Sequence, residues 1–381
     1  MKIAVFSSTI NVRNGYGNIT YEYCSELVNQ GFEVTLFLPS SEKKYSKNFK
    51  FSVEYLLPPY IFRFFTPKVF SYIFCKIDLS DYDIVHSLFA FPYAIIVSKL
   101  SKKYKKPFIV GAQGTYGVEP LTHFFEGFFL KRAYSQADAF IVPSKFTKKE
   151  IERYSKKQFG IKVIHNGVNL DRFLNKSTPD YLKKKYAGKD IVMTVGGLKK
   201  RKGQDTVIKA LPSVVEKVPK IHYIMVGSGS EEEYLKKLAY EYNVERHIEF
   251  VGEKEGKELV DYFYLCDIYI HTPKVVNLNF EGFGIVYLEA SACKKPIIGT
   301  YSGGVEDAVV DNKTGFLFHE EDINGISSKI IELFNNKEDI RKIGEEGFLY
   351  AKKHDWSDIV HEYKEVYMDV FNKYKNKPVL N

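Results

Sequence analysis

Short apolar runs rich in Val, Ile and Phe recur along this 381-residue chain, each followed by a longer amphipathic stretch. Such alternation specifies βα units around a parallel sheet, because a strand covered by helices on both faces is apolar throughout. In the first half the strand candidates are residues 2–7, 33–38, 84–86, 108–111, 139–143 and 162–164. The second half restarts the series with 191–196, 222–227, 248–252, 268–271, 296–300 and 315–318. Residues 16–30, 204–218, 231–242 and 284–293 read as helices in the gaps, the first closed by Gly31. The expected architecture is α/β, with two doubly wound domains and ligands at the carboxyl ends of the strands, in the cleft between the domains. The polar stretch 175–190, with Pro179 and five lysines, is the expected linker. Domains are therefore expected over 1–175 and 176–355, with a helical tail, 356–381, that must pack against something.

Composition narrows the class. A hydrophobic fraction of 45% and an aromatic fraction of 15% exclude a disordered or fibrous chain. No apolar run reaches the roughly 18–20 residues of a membrane span, and the greasiest stretch, 60–77, is broken by Arg63, Lys68 and Lys76. The opening MKIAVFSS reads as a buried strand rather than a signal peptide. Cys24, Cys75, Cys266 and Cys293 lack the spacing of a disulfide framework or a zinc site. Charge is lopsided: residues 1–175 carry 24 Lys and Arg against 14 Asp and Glu, while the remainder is near neutral. A basic half suggests an anionic partner, such as a membrane surface or a phosphorylated substrate. No nucleic-acid-binding motif accompanies the charge. The expected location is the cytoplasm, with docking on the inner face of the membrane as a further expectation. The basic, aromatic region 60–76 fits an interfacial element for that purpose.

Several motifs fail. Gly15-Tyr16-Gly17 follows the first strand, but Thr20 stands where a dinucleotide fingerprint has its third glycine. What remains is a Gly-rich turn at a helix N-terminus, able to offer N–H groups to an anion. Asp81-Tyr82-Asp83 spells a two-aspartate metal motif, yet its place before a strand suits turn residues.

Others reinforce one another. Glu281-Gly282-Phe283-Gly284-Ile285 leads into a helix that carries Glu289. An open turn flanked by two carboxylates can bind the hydroxyls and phosphates of a sugar nucleotide. Gly303-Gly304-Val305-Glu306-Asp307 and Thr314-Gly315-Phe316-Leu317 follow later strands. The second domain's first turn, Gly196-Gly197-Leu198-Lys199-Lys200-Arg201-Lys202-Gly203, is a basic loop able to neutralise a diphosphate, and Gly227-Ser228-Gly229 ends the next strand.

In this order the motifs resemble the family 4 glycosyltransferases, retaining enzymes with the GT-B fold. The likeness covers most of the chain, is strongest over 191–320, and includes Ile164-His165-Asn166-Gly167-Val168 with Asp171-Arg172-Phe173. It implies two Rossmann-like domains: the first binds the acceptor, the second a nucleoside-diphosphate-sugar donor, and a last helix crosses back to the first. By the same resemblance Glu289 binds the ribose, Glu281 contacts the transferred sugar, and Phe283, Gly284 and Ile285 lie near its hydroxyls and the distal phosphate. Lys202 matches the diphosphate lysine, with Gly15, Gly17, Gly197, Arg201 and Gly227 as further donor contacts. Glu281, Lys202 and Gln113 are the expected catalytic residues. Tyr16, Gln113, Tyr116 and His123 are expected to face the acceptor, the last within the aromatic segment 121–130. The family needs no metal, since cations and helix N-termini stabilise the departing diphosphate, so no cofactor or metal is expected.

The chain also departs from the family pattern. The usual diphosphate arginine falls on Gly197, leaving Lys199, Lys200 or Arg201 to replace it. A loop that often carries a histidine carries Gln113, which bonds a hydroxyl but does not titrate near neutrality. After the double glycine, the family glutamate matches Asp307, with Glu306 beside it. The expected activity is metal-independent transfer of a sugar to a hydroxyl of a glycan, lipid-linked glycan or glycolipid. The alternatives are an epimerase or phosphorylase of similar fold, or a non-catalytic nucleotide-sugar or glycan-binding subunit.

Overall fold

The computed structural model describes residues 1–59, 76–174 and 176–376. Except for Lys76, the expected interfacial element at 60–76 lies outside the described residues, as does Cys75. The chain divides into two units, Met1–Asn166 with Trp356–Asn381, and Gly167–Asp355.

The first unit is built on seven parallel strands: β1 (Lys2–Phe6), β2 (Glu33–Pro39), β3 (Ser52–Leu57), β4 (Ile84–Ser87), β5 (Phe108–Gly111), β6 (Ala139–Val142) and β7 (Ile161–Val163). Their order is β3-β2-β1-β4-β5-β6-β7. β1 lies between β2 and β4, paired from Lys2↔Glu33 to Phe6↔Phe37 on one side and from Ile3↔Ile84 to Phe6↔Ser87 on the other. That central position explains its unbroken apolar run, for Ile3, Ala4, Val5 and Phe6 are all fully buried. The Asp83 carboxylate accepts from the Lys2 backbone N–H at 2.8 Å, so this aspartate fixes the turn before β4.

The helix Gly15–Asn29 makes the crossover from β1 to β2, and the tail helix Trp356–Lys375 packs on it. Between them and β4 sits a buried polar knot. The hydroxyls of Tyr23 and Tyr367 bond each other, and each bonds His86 Nδ1, at 2.9 and 2.7 Å. Burial holds the His86 imidazole down to about 3, so it stays neutral at physiological pH. A neutral buried histidine makes stability depend on pH. Its folded pKa lies below the ordinary 6.5, so its contribution is present above 6.5 and is lost as pH falls toward 3. The first unit should lose about 1.4 kcal/mol for each pH unit below 6.5 from this group. Urea unfolding at pH 6.5 and 5 should show the loss, and His86→Gln should remove it; an identical slope in the variant would refute the assignment.

The second unit has six parallel strands: β8 (Asp190–Val195), β9 (Ile221–Val226), β10 (Ile248–Gly252), β11 (Ile268–Ile270), β12 (Ile297–Thr300) and β13 (Gly315–Phe318). The order is β10-β9-β8-β11-β12-β13, which reverses between β8 and β11. Two loops leaving adjacent strands at such a switch point diverge and leave a crevice.

Residues 176–190 of the expected linker are not an open connection. They hold the short helix Asp180–Lys185, and Leu182 and Tyr186 join the core of the second unit. Residues 167–174, placed by sequence with the first domain, also belong to the second unit. The Val168 N–H donates to His354 O at 2.8 Å, the Leu170 N–H to the Asp355 carboxylate at 3.2 Å, and Phe173 is fully buried in the same core.

Candidate functional site

The switch point of the second unit gathers the charged motifs. After β8, the loop through Gly196 and Gly197 tightens into a turn over Lys200–Lys202 before the helix Gln204–Lys217 begins. After β11 the chain runs through His271 and a tight turn, Val276–Asn279, to Glu281. The Lys274 N–H donates to Arg201 O at 2.9 Å, tying the two loops together. The Lys274 ammonium is buried between Asp205 and Glu321, at 2.9 and 2.8 Å. A third loop joins them where the Gly304 N–H donates to Glu281 O at 2.7 Å.

Glu281 is the centre of this arrangement. One carboxylate oxygen, Oε2, lies 2.5 Å from Lys202 Nζ, 3.4 Å from Arg201 Nη1 and 3.7 Å from His271 Nε2. Burial alone would raise the Glu281 pKa, but Lys202, His271 and Arg201 hold it well below the usual carboxylate range. Lys202 is pulled the other way by burial, and Arg201 and Lys199 add to that pull against Glu281, so its pKa is lowered. Burial brings His271 down to about 4, leaving it neutral. Two cations thus share one carboxylate, which leaves the crevice with a net positive charge.

The three basic residues that follow Gly197 are placed differently. Arg201 turns toward Glu281, whereas Lys199 and Lys200 line a separate hollow of about 390 Å³ with Gln204, Asp205 and Glu231. Gly197 offers its carbonyl to Gln204 Nε2 at 3.3 Å, and Gly227 follows β9 with its N–H on Gly252 O.

Phe283 is buried, and Gly284 in the left-handed region opens the helix Ile285–Ala292, so the amides of the turn Phe283–Ile285 lie at a helix N-terminus. Glu289 sits inside that helix, buried, with Arg172 Nη1 at 3.8 Å. Arg172 belongs to the motif Asp171-Arg172-Phe173, whereas nothing local marks Lys274 as a lysine that will be buried between two carboxylates. Of the pair after the double glycine, Asp307 is buried and Glu306 exposed.

In the first unit, Tyr16, Gln113 and Tyr116 come together. The Tyr16 hydroxyl donates to Gln113 O at 3.1 Å, and its ring lies 5.5 Å from that of Tyr116. Gln113 is buried, and its Oε1 accepts from Asn166 Nδ2 at 3.1 Å. The Gly15–Gly17 turn is less open to an anion than expected. The Gly17 N–H already donates to the Asn14 side chain at 2.8 Å, and a Cβ at Gly17 would lie 2.0 Å from Asn11 O. Close packing therefore accounts for Gly17. His123 is drawn into a local pairing, its two ring nitrogens 3.1 Å from Glu119 and 2.6 Å from Glu126. Among the described residues no cluster of three or more acidic, His or Cys side chains has the geometry of a metal site. Among them, too, no helix is long and apolar enough to cross a membrane.

Residues 182–350 match the family model described as glycosyl transferases group 1, and residues 13–172 match that of glycosyltransferase family 4. An uncharacterised glycosyltransferase of Methanocaldococcus jannaschii is 29% identical over 77% of this chain and 77% of its own. A GDP-mannose-dependent α-(1-6)-phosphatidylinositol monomannoside mannosyltransferase of Mycolicibacterium smegmatis is 31% identical. That match spans 54% of this chain and little more than half, 55%, of the mannosyltransferase. Among solved structures, Anabaena HepE in complex with UDP and glucose superposes with a TM-score of 0.78 at 19% identity, covering 97% of this chain and 100% of that one.

Proposed function

From the premise that the chain is a family 4 glycosyltransferase of GT-B fold, and so a hexosyltransferase of a retaining family, we propose that it takes its sugar from a nucleoside diphosphate. The carrying observation is the crevice in which Lys202 and Arg201 share the single carboxylate of Glu281. A diphosphate brought there meets the net positive charge and the amides of the turn at Phe283–Ile285. Glu289 accepts from the ribose diol, and Glu281 from hydroxyls of the transferred sugar. As the bond from the anomeric carbon to the diphosphate oxygen breaks, Lys202 and Arg201 stabilise the charge that builds on the leaving group. The acceptor oxygen forms its bond on the face the diphosphate leaves, and its proton passes to a donor phosphate oxygen. Preorganised cations do the work a metal would otherwise do, so the reaction proceeds without one. Gln113, with Tyr16 and Tyr116, is the acceptor-side group, a hydrogen-bonding amide where a titrating histidine would serve elsewhere.

The acceptor is a hydroxyl of a glycan, lipid-linked glycan or glycolipid. The mannosyltransferase relative, named for a phosphatidylinositol mannoside, supports the lipid-linked class.

The relatives carry both GDP-mannose and UDP in their names, so the base is a matter for measurement. Thermal-shift titration against UDP-, GDP-, ADP- and TDP-sugars should give one responding base, with about 2.7 kcal/mol of added stability at a hundred times the dissociation constant. The shift should survive EDTA. Glu289→Ala should weaken that donor about tenfold. A response that needs metal, or none from any nucleotide, overturns the reading; donor consumed without acceptor would make the protein an epimerase.

A further inference from the structure

The helix Phe124–Gln136 in the first unit buries Gly127, Leu130, Ala133 and Tyr134. Its other side presents Phe124, Phe125, Phe128 and Phe129, which are 85, 66, 62 and 43% exposed. Their spacing places all four on one helical face, and their rings pair at 5.2 and 5.3 Å. Single exposed apolar residues need no explanation, but a contiguous patch of four phenylalanines marks an interaction surface.

Charge identifies the partner. Arg132 is exposed one turn beyond Phe128, and Lys131 stands beside it. The neighbouring helix Ile95–Tyr104 brings Lys99 to 5.8 Å from the Phe129 ring, and Lys102 and Lys103 are exposed on the same helix. The nearby acids Glu119 and Glu126 are both held by His123. An aromatic face fringed by cations is the composition of a helix that lies in the headgroup plane of a bilayer, where rings enter the acyl boundary and cations meet lipid phosphate. A second copy of the chain fits less well, because a two-fold pairing of these faces would bring like charges together.

We propose that this face docks the protein on an anionic lipid bilayer, with the four phenylalanines inserted and Lys99, Lys102, Lys103 and Arg132 against the lipid phosphates. The proposal does not depend on which sugar or base the second unit binds. Co-sedimentation with phosphatidylcholine vesicles containing phosphatidylglycerol is the test. The wild-type chain should pellet with them, less so as salt rises. Phe125→Ser/Phe128→Ser should lower the partition coefficient at least about tenfold, with an unchanged melting temperature. Lys99→Gln/Lys102→Gln/Lys103→Gln/Arg132→Gln should remove most of the salt dependence. Phe125→Trp should shift its emission to the blue on vesicles, against the buried background of the chain's one native tryptophan, Trp356. Wild-type protein left in the supernatant, serine variants that pellet like wild type, or tryptophan emission indifferent to lipid would each overturn it. So would serine variants that lose a dimer yet keep full vesicle binding, which would assign the face to a second copy.

Discussion

Replacing Lys202 with methionine is expected to slow sugar transfer by about 10²- to 10³-fold at saturating donor, a loss of roughly 3–4 kcal/mol of transition-state stabilisation. The ammonium lies 2.5 Å from Glu281 and is largely withdrawn from solvent, where a positive charge acts far more strongly than in water. It is most needed when charge appears on the departing diphosphate, so the loss should fall on turnover more than on donor affinity. Methionine keeps the volume of the side chain, and Arg201 remains beside Glu281 at 3.4 Å, so the carboxylate is not left alone. The melting temperature should therefore stay within a few degrees of wild type. Wild-type turnover in this variant would show that no diphosphate reaches Lys202.

Gly203→Ala is expected to be among the most damaging single substitutions for the fold. The residue closes the basic turn with φ at +74°, and a Cβ there would lie 1.7 Å from the carbonyl oxygen of Thr272. That carbonyl belongs to the loop after β11, and Thr272 also donates its hydroxyl to Gly203 O at 2.8 Å. Neither backbone can yield without pulling the two loops apart. A cost of roughly 3 kcal/mol or more is expected from strain and overlap together. For a unit of this size that corresponds to a fall of about 6–12 °C in its melting transition. Gly188→Ala is the control: φ is +70° there too, but nothing lies within 4 Å of the added carbon, so only the backbone term of about 1 kcal/mol applies. Equal melting temperatures for the two variants would mean that the contact with Thr272 is not rigid.

Central strands such as β1 were legible because both faces are covered and the apolar run is unbroken. β3 was missed for the converse reason: it is an edge strand with only β2 beside it, and Ser52, Glu54 and Tyr55 interrupt the pattern. Residues 180–186 read as linker because three consecutive lysines mask Leu182 and Tyr186, one turn apart on a single buried stripe. At the site, Glu281, Lys202 and Glu289 were findable as motifs in order. Their pairing was not, because the switch point that brings residues 201 and 202 against 281 is a property of the sheet. That Arg201 lies against Glu281 while Lys199 and Lys200 do not likewise depends on which way a turn of three residues faces. The neutrality of His271 is a consequence of burial.

The tail helix Trp356–Lys375 has a consequence for the order in which the protein can be made. It supplies Tyr363 and Tyr367 to the first unit, whose other residues leave the ribosome before those of the second. The second unit is an unbroken stretch of chain and can close as soon as it has emerged. The first must wait with Tyr23 and His86 uncovered until this helix is released, so the unit whose synthesis starts before the other's completes its fold after it.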